Sequence, residues 1–319
     1  MTAPPIRICH LLFHNLPIKQ LRFYKNCAQF DKSACVTVDS ASFSDSNRLF
    51  KGPHSPEKGL ISGIYVAELK DALLDYDDFN IIIVNWTLYN NFPLSKAIDN
   101  VPKVGKRVAE MMHFLINHTG TDPLKFHCIG HSLGAHACGH AARRVPNFNR
   151  VTGLDPAGIT IVRLLRDDIL LKSTDADYVD VMHTSFIQTG LGLGMLQPIG
   201  DVDFYVNGGI VQKHCKFGNE YKVFKGDVLK VETVLDQNLC DHFIANDYFK
   251  NSIRDDCEFL GTECGSFVKA VLNPILKVCP SRSRLTARMG FHSEKIPGLA
   301  PRSVFYVDTL EFPPYCKEQ

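Results

Sequence analysis

Residues 125–145 read KFHCIGHSLGAHACGHAARRV, and the order of chemistry within this stretch decides the fold. Phe126 to Ile129 is a short apolar run of the kind that buries as a strand. From Leu133 onward the stretch is rich in Ala and Gly and reads as a helix. Between them Gly130-His131-Ser132-Leu133-Gly134 forms G-x-S-x-G in its strand-to-helix context. Such a turn is sharp and strained, so glycine is expected at both flanking positions, where a Cβ would collide with neighbouring chain. The Ser132 hydroxyl is then exposed at the carboxyl edge of a sheet as a candidate nucleophile. The helix N-terminus beneath it favours developing negative charge, and the Leu133 N–H is placed as an oxyanion donor.

Outward from this turn, apolar strand-like runs alternate with helical patterns. ICHLLF (8–13), FNIIIVNW (79–86) and FHCIG (126–130) read as strands. Further strand candidates are RVTGLD (150–155), YVDVMHT (178–184), DVDFYVN (201–207) and SVFYVDTL (303–310). Val101, Val104, Val108, Met111, Met112 and Leu115 recur at spacings of three and four, which predicts a helix over 101–118 with Lys103, Lys106, Arg107 and Glu110 on its other face. Alternation of this kind builds an α/β fold around a mostly parallel sheet flanked by helices. The stretch from about 250 to 290 is expected to form loops and short helices stapled by Cys257, Cys264 and Cys279. No repeat and no Pro/Gly/Ser-rich linker interrupts residues 1–319, so they read as one continuous domain.

Composition narrows the function classes. Hydrophobic residues make up 45% of the chain and charged residues 22%, with a net charge of +1, which leaves no electrostatic footprint for nucleic acid. Eleven cysteines spread along the chain argue for structural disulfides in an oxidising compartment. No CxxC pair occurs, which disfavours a zinc site, and no metal or cofactor is expected. The odd count leaves at least one free thiol, for which Cys128 and Cys138 are the candidates because their surroundings are apolar or small. No signal peptide is legible in MTAPPIRICH, so a secreted chain would be a mature or trimmed form. The longest apolar run, Ile81 to Val84, is too short to span a bilayer, and membrane contact is expected at the surface only.

A serine nucleophile needs a base and an orienting carboxylate, which in this kind of fold follow it in the order acid, then histidine. Asp155 ends an apolar strand and enters a Pro/Gly loop, where a sheet would present a carboxylate; the alternative is an aspartate that only starts the turn before Pro156. Among 13 histidines, His242 lies downstream in NLCDHFIAND, after a cysteine that pins its loop. His183 closes the strand YVDVMHT and is expected to pack or hydrogen-bond near the site. His131 and His136 lie too close to Ser132 on the same turn to serve as its base.

These residues resemble the pancreatic-lipase superfamily, in particular its insect neutral lipases and phospholipases A1. IGHSLGAH, TGLDPAG, the VMHTS strand, GDVDFYVNGG and the Cys-x-His of LCDH stand in that family's order and at about its spacing. The match is strong from about residue 80 to 245 and weaker elsewhere, where LLFHNLP looks like the family's first strand. The resemblance implies an α/β-hydrolase domain, the triad Ser132, Asp155 and His242, and a secreted ester hydrolase acting on lipids at a lipid–water interface. The chain stops after SVFYVDTLEFPPYC, which looks like the last strand of the catalytic domain. Neither the appended β-sandwich nor a colipase partner is therefore expected.

The resemblance also implies that Cys215 and Cys240 bracket a lid loop, within which Phe217, Tyr221, Phe224, Val228, Leu229 and Leu235 mix with many charges. An amphipathic lid would cover the acyl groove in water and fold back at lipid; the alternative is a solvated surface loop. Its length favours neutral acylglycerols over phospholipids. The second oxyanion donor aligns with Pro53 in NRLFKGPHSP, and proline has no N–H to give; a shift of one residue would offer His54. Asn85 stands where the family has aspartate. Of the two sequons, Asn85-Trp-Thr is expected to be inaccessible and Asn117-His-Thr to be the glycan site. A rival to the enzyme is a lipid-binding or yolk-type relative that keeps the fold with little catalysis, as Pro53 would suggest.

Overall fold

The structure, a computed structural model, describes residues 8–9, 56–86, 89, 94–158, 167–186, 193–216, 231–279 and 285–316, with backbone only for 8–9, 56–64 and 231–236. Eight strands form one sheet: β1 (Ile8–Cys9), β2 (His127–His131), β3 (Arg150–Leu154), β4 (Tyr178–His183), β5 (Val202–Val206), β6 (Phe259–Glu263), β7 (Thr286–Met289) and β8 (Ser303–Val307). Their order is β1-β2-β3-β4-β5-β8-β6-β7. Strands β1 to β5 and β8 run parallel, while β6 is antiparallel to β7 and β8. The expected α/β architecture, a mostly parallel sheet flanked by helices, is the one that forms. Every residue of β3, β4 and β5 is buried, as parallel strands covered on both faces require.

The described helices are α1 (Pro56–Tyr76), α2 (Leu94–Thr119), α3 (Leu133–Ala142), α4 (Val231–Asn251) and α5 (Phe267–Leu276). Helix α2 buries Val101, Val104, Val108, Met112 and Leu115, the predicted face, but begins at Leu94 and carries Pro102 within it. It packs closely on α3: a Cβ on Gly105 would stand 2.3 Å from the His140 Cβ. Helices α1 and α4 meet through the stacked rings of Tyr65 and Phe243, 5.7 Å apart, and the Lys250–Glu68 ion pair at 2.6 Å.

Several readings of the sequence need correction. The 79–86 run is not a full strand; it carries isolated bridge positions at Ile81 and Asn85, with Phe79 and Ile82 buried in the core. The 250–290 stretch is more regular than expected, because β6 and β7 extend the sheet past β8 and α5 packs on β5 and β8. Cys128 and Cys138 are not free thiols but are bonded to each other, since the G-x-S-x-G turn folds α3 back along β2 and leaves their Cα atoms 5.7 Å apart. His242 lies on a helix, not a pinned loop: Asp241, Ile244, Ala245, Tyr248 and Phe249 bury one face of α4 at helical spacing.

Three other disulfides occur among the described residues: Cys215–Cys240, Cys257–Cys316 and Cys264–Cys279, with Cα separations of 5.8, 5.3 and 4.8 Å. Asn117 is exposed near the end of α2, and Asn85, expected to be inaccessible, is exposed as well. Pro53, His54, the LLFHNLP segment and the lid residues Phe217, Tyr221, Phe224, Val228 and Leu229 lie outside the described residues, as does the Leu235 side chain. Among the described residues no helix is long and apolar enough to cross a membrane.

Candidate active site

The carboxyl edge of the parallel sheet gathers the candidates in strand order. Ser132 follows β2, Asp155 follows β3, Thr184 and Ser185 follow β4, and Asn207 follows β5. Three of these stand in the left-handed half of backbone space: Ser132 with φ 56° and ψ −123°, Asp155 with φ 42° and Asn207 with φ 51°. Conformations of this kind cost about 1–3 kcal/mol for a non-glycine residue and persist where the surroundings over-determine them. At Ser132 the fixing contacts are its own N–H, which donates to the Leu154 carbonyl at 3.0 Å, and the Cys128–Cys138 bond that ties β2 to α3 around it.

The two flanking glycines are not equivalent. A Cβ on Gly130 would lie 2.3 Å from the Gly134 carbonyl oxygen, so only glycine fits there. A Cβ on Gly134 would meet nothing within 4 Å, contrary to the expectation that both positions exclude a side chain. Leu133 is buried at the first position of α3, with its N–H at the helix N-terminus beside Ser132.

Behind the serine, His242 Nδ1 stands 2.6 Å from Asp155 Oδ2. Both side chains are buried. The carboxylate also accepts the Ser185 hydroxyl at Oδ2, and the N–H groups of Thr184 and Ser185 at Oδ1, at 2.8 and 3.2 Å. Burial alone would raise the Asp155 pKa. The bonds from His242, Ser185 and Thr184 outweigh it and hold the carboxyl below its ordinary value. An ionised Asp155 fixes the proton of His242 on Nδ1, which leaves Nε2 as the basic nitrogen.

His131 Nε2–H donates to the His242 carbonyl at 2.9 Å, and the two rings lie 4.4 Å apart. The residue preceding Ser132 therefore touches the residue that faces Asp155. No hydrogen bond joins Ser132 to His242 among the described residues. The remaining histidines considered are engaged elsewhere. His183 is fully buried, with Nε2 2.8 Å from Asp203 Oδ1 and Nδ1 2.8 Å from the Met195 carbonyl. His136 spans Ala157 and Leu171.

Three contributors escaped the sequence reading. Ser185 lies one residue beyond VMHT and bridges acid and base, its Oγ 3.3 Å from His242 Nδ1. Gly194 lets backbone pass directly against the carboxylate, where a Cβ would stand 2.4 Å from Asp155 Oδ1. His131, set aside as a base, instead steadies the His242 backbone. Only Ser185 had a signal, as the last residue of the VMHTS motif. The other two depend on contacts across the fold. Among the described residues no group of three His, Cys, Asp or Glu side chains is arranged to hold a metal.

A strained serine on a strand-to-helix turn, with a buried carboxylate at the next strand end paired to a downstream imidazole on a helix, defines the α/β-hydrolase class of proteins. Comparison with known proteins makes the assignment narrower. A family model described as Lipase matches residues 22–315, and the chain belongs to that family. Pancreatic triacylglycerol lipase of Homo sapiens is 33% identical over 86% of the chain, and that of Cavia porcellus 33% over 77%. Inactive pancreatic lipase-related protein 1 of Homo sapiens is 31% identical over 77%. The chain spans 60, 53 and 53% of the lengths of these three relatives.

Proposed function

We propose that this chain is a secreted serine carboxyl-ester hydrolase that acts on lipid esters through an acyl-enzyme on Ser132. The observation that carries the reading is the buried Asp155–His242 pair, 2.6 Å between heavy atoms, beside a serine held at φ 56°. In this reading a modest movement brings His242 Nε2 to the Ser132 hydroxyl and takes its proton as Oγ attacks the ester carbonyl. Asp155 keeps the imidazole in its tautomer and stabilises the imidazolium. The Leu133 N–H donates to the oxyanion, with a second donor to come from the segment around Pro53 and His54. His242 then protonates the leaving alcohol, and water hydrolyses the acyl-enzyme by the same relay.

Relatives named as triacylglycerol lipases support a lipid substrate, and the 25-residue separation of Cys215 and Cys240 supports a full-length lid and neutral acylglycerols over phospholipids. Four disulfides support an oxidising, extracellular setting. A second reading, a lipid-binding relative with little catalysis, is favoured by the similarity to a protein named as inactive and by proline, which has no N–H, at position 53 where the second oxyanion donor is expected. Hydrolysis of triacylglycerol emulsion, phospholipid vesicles and a soluble p-nitrophenyl ester, each with Ser132→Ala as control, separates the two. Turnover that depends on Ser132 supports the enzyme. Lipid binding without such turnover supports the second reading.

A further inference from the structure

Helix α5 is apolar on its solvent side as well as on its buried side. Its buried side is carried by Ala270 and Asn273, with Phe267 and Val271 packed against Tyr205, Val304 and Tyr306 of the sheet. Its solvent side carries Val268, Leu272, Ile275 and Leu276, spaced i, i+4, i+7 and i+8, and Ile275 is 80% exposed. Val278 extends this stripe past the helix end. An aliphatic face of this size left in water marks a contact surface.

The position of α5 indicates what that surface meets. Gly208, just beyond the carboxyl end of β5, lies so close to α5 that a Cβ there would stand 2.9 Å from Pro274 and 3.0 Å from the Val271 carbonyl. The C-terminal half of α5, with Ile275 and Leu276, therefore stands at the same sheet edge as Ser132, Asp155 and His242. On the neighbouring strand β8, Leu310 and Phe312 are likewise exposed past the carboxyl end, 45 and 61%. Residues 267–279 contain Lys269 and Lys277 and no acidic residue. The α5 aliphatic side chains, bordered by lysines on the edge that holds the candidate site, suit a lipid surface that bears negative charge, while Glu311 lies between Leu310 and Phe312 and Asp308 is paired with Lys213.

We propose that the α5 stripe, with Leu310 and Phe312, is a lipid-docking surface that seats the carboxyl edge of the sheet on an anionic lipid interface. The proposal rests on the lipid-hydrolase reading and adds the face by which the protein meets its substrate phase.

The test uses the whole chain and vesicles of phosphatidylcholine containing about 30% phosphatidylglycerol, compared with phosphatidylcholine alone. Ile275→Glu/Leu276→Glu is expected to weaken co-sedimentation with the mixed vesicles at least tenfold, since moving even one such side chain from lipid to water costs about tenfold or more. Its circular dichroism, and any turnover of a water-soluble short-chain ester, should stay within about twofold of the unaltered protein. Lys269→Ala/Lys277→Ala should weaken binding to the mixed vesicles and leave binding to phosphatidylcholine unchanged. Unaltered vesicle binding by the Glu variant overturns the proposal. So does an unaltered chain that binds no vesicle, or a dimer that the same variant converts to monomer. Absence of soluble-ester turnover would count against the catalytic reading alone, because vesicle binding is scored separately.

Discussion

Replacing His136 with glutamine should remove about 3 kcal/mol from the loss of stability on acidification to about pH 4. His136 is fully buried on α3; its Nδ1 accepts the Leu171 N–H at 3.1 Å, so its Nε2–H donates to the Ala157 carbonyl at 2.9 Å. Burial, reinforced by the Arg143 charge and partly offset by the Ala157 bond, lowers its pKa from 6.5 to about 4. A folded-state pKa below the unfolded one means that the unfolded chain takes up the proton first. The contribution of His136 is thus intact above about pH 6.5 and is lost as pH falls toward 4. At about 1.36 kcal/mol per pKa unit, the loss at about pH 4 comes to roughly 3 kcal/mol. Urea unfolding of both proteins at about pH 7.5 and about pH 4 measures it, and any offset from the glutamine itself cancels because it does not titrate. His140, also lowered to about 4 chiefly by burial and the Arg143 and Arg144 charges, is present in both proteins and largely cancels, since His136 ranks last among the causes of its shift. The same pH dependence in the two proteins, within about 0.5 kcal/mol, would refute the reasoning.

The other predictions concern the elbow and the acid. Gly130→Ala should abolish Ser132-dependent turnover through its 2.3 Å clash, whereas Gly134→Ala, with open space at its Cβ, should keep turnover within a few fold. Loss of turnover in both, or in neither, contradicts the geometry. Cys128→Ala/Cys138→Ala opens a crosslink of sequence separation 10. Loop-closure entropy puts its loss at about 2.7 kcal/mol, or roughly 5 °C in Tm by calorimetry. An unchanged Tm would mean that the bond does not hold α3 to β2. Ser185→Ala removes one donor from Asp155 and should lower kcat about tenfold with KM nearly unchanged. A rise in KM alone would place Ser185 against the substrate and not behind the acid.

Much of this arrangement was legible because local chemistry and global fold agree at the elbow. Gly130 has a single steric solution, and the apolar runs ending in Asp155 and His183 have the length of buried parallel strands. The sequence failed where contacts link distant residues. Nothing local distinguishes a free Cys128 from one paired with Cys138, since the pairing exists only once α3 folds back on β2. Helix α4 was concealed because it starts inside the cysteine-bracketed segment, and a charged, mixed stretch reads equally well as loop. The 79–86 run has the β propensity of a strand yet does not form a full one, so tertiary context overrides composition there. Gly194 is a small residue with no signature, and Ser185, although it ends the VMHTS motif, has nothing local that marks it as a donor; only the converging carboxylate gives them a role.

The most direct test of the central claim is covalent labelling by a p-nitrophenyl phosphonate ester, followed by intact-mass and peptide analysis. The account predicts one phosphonyl group per chain, attached to Ser132. The labelling rate should fall by about 10³-fold or more in His242→Ala and in Asp155→Asn, because both act through the serine proton. Labelling at another residue, or an unchanged rate in both variants, would contradict it.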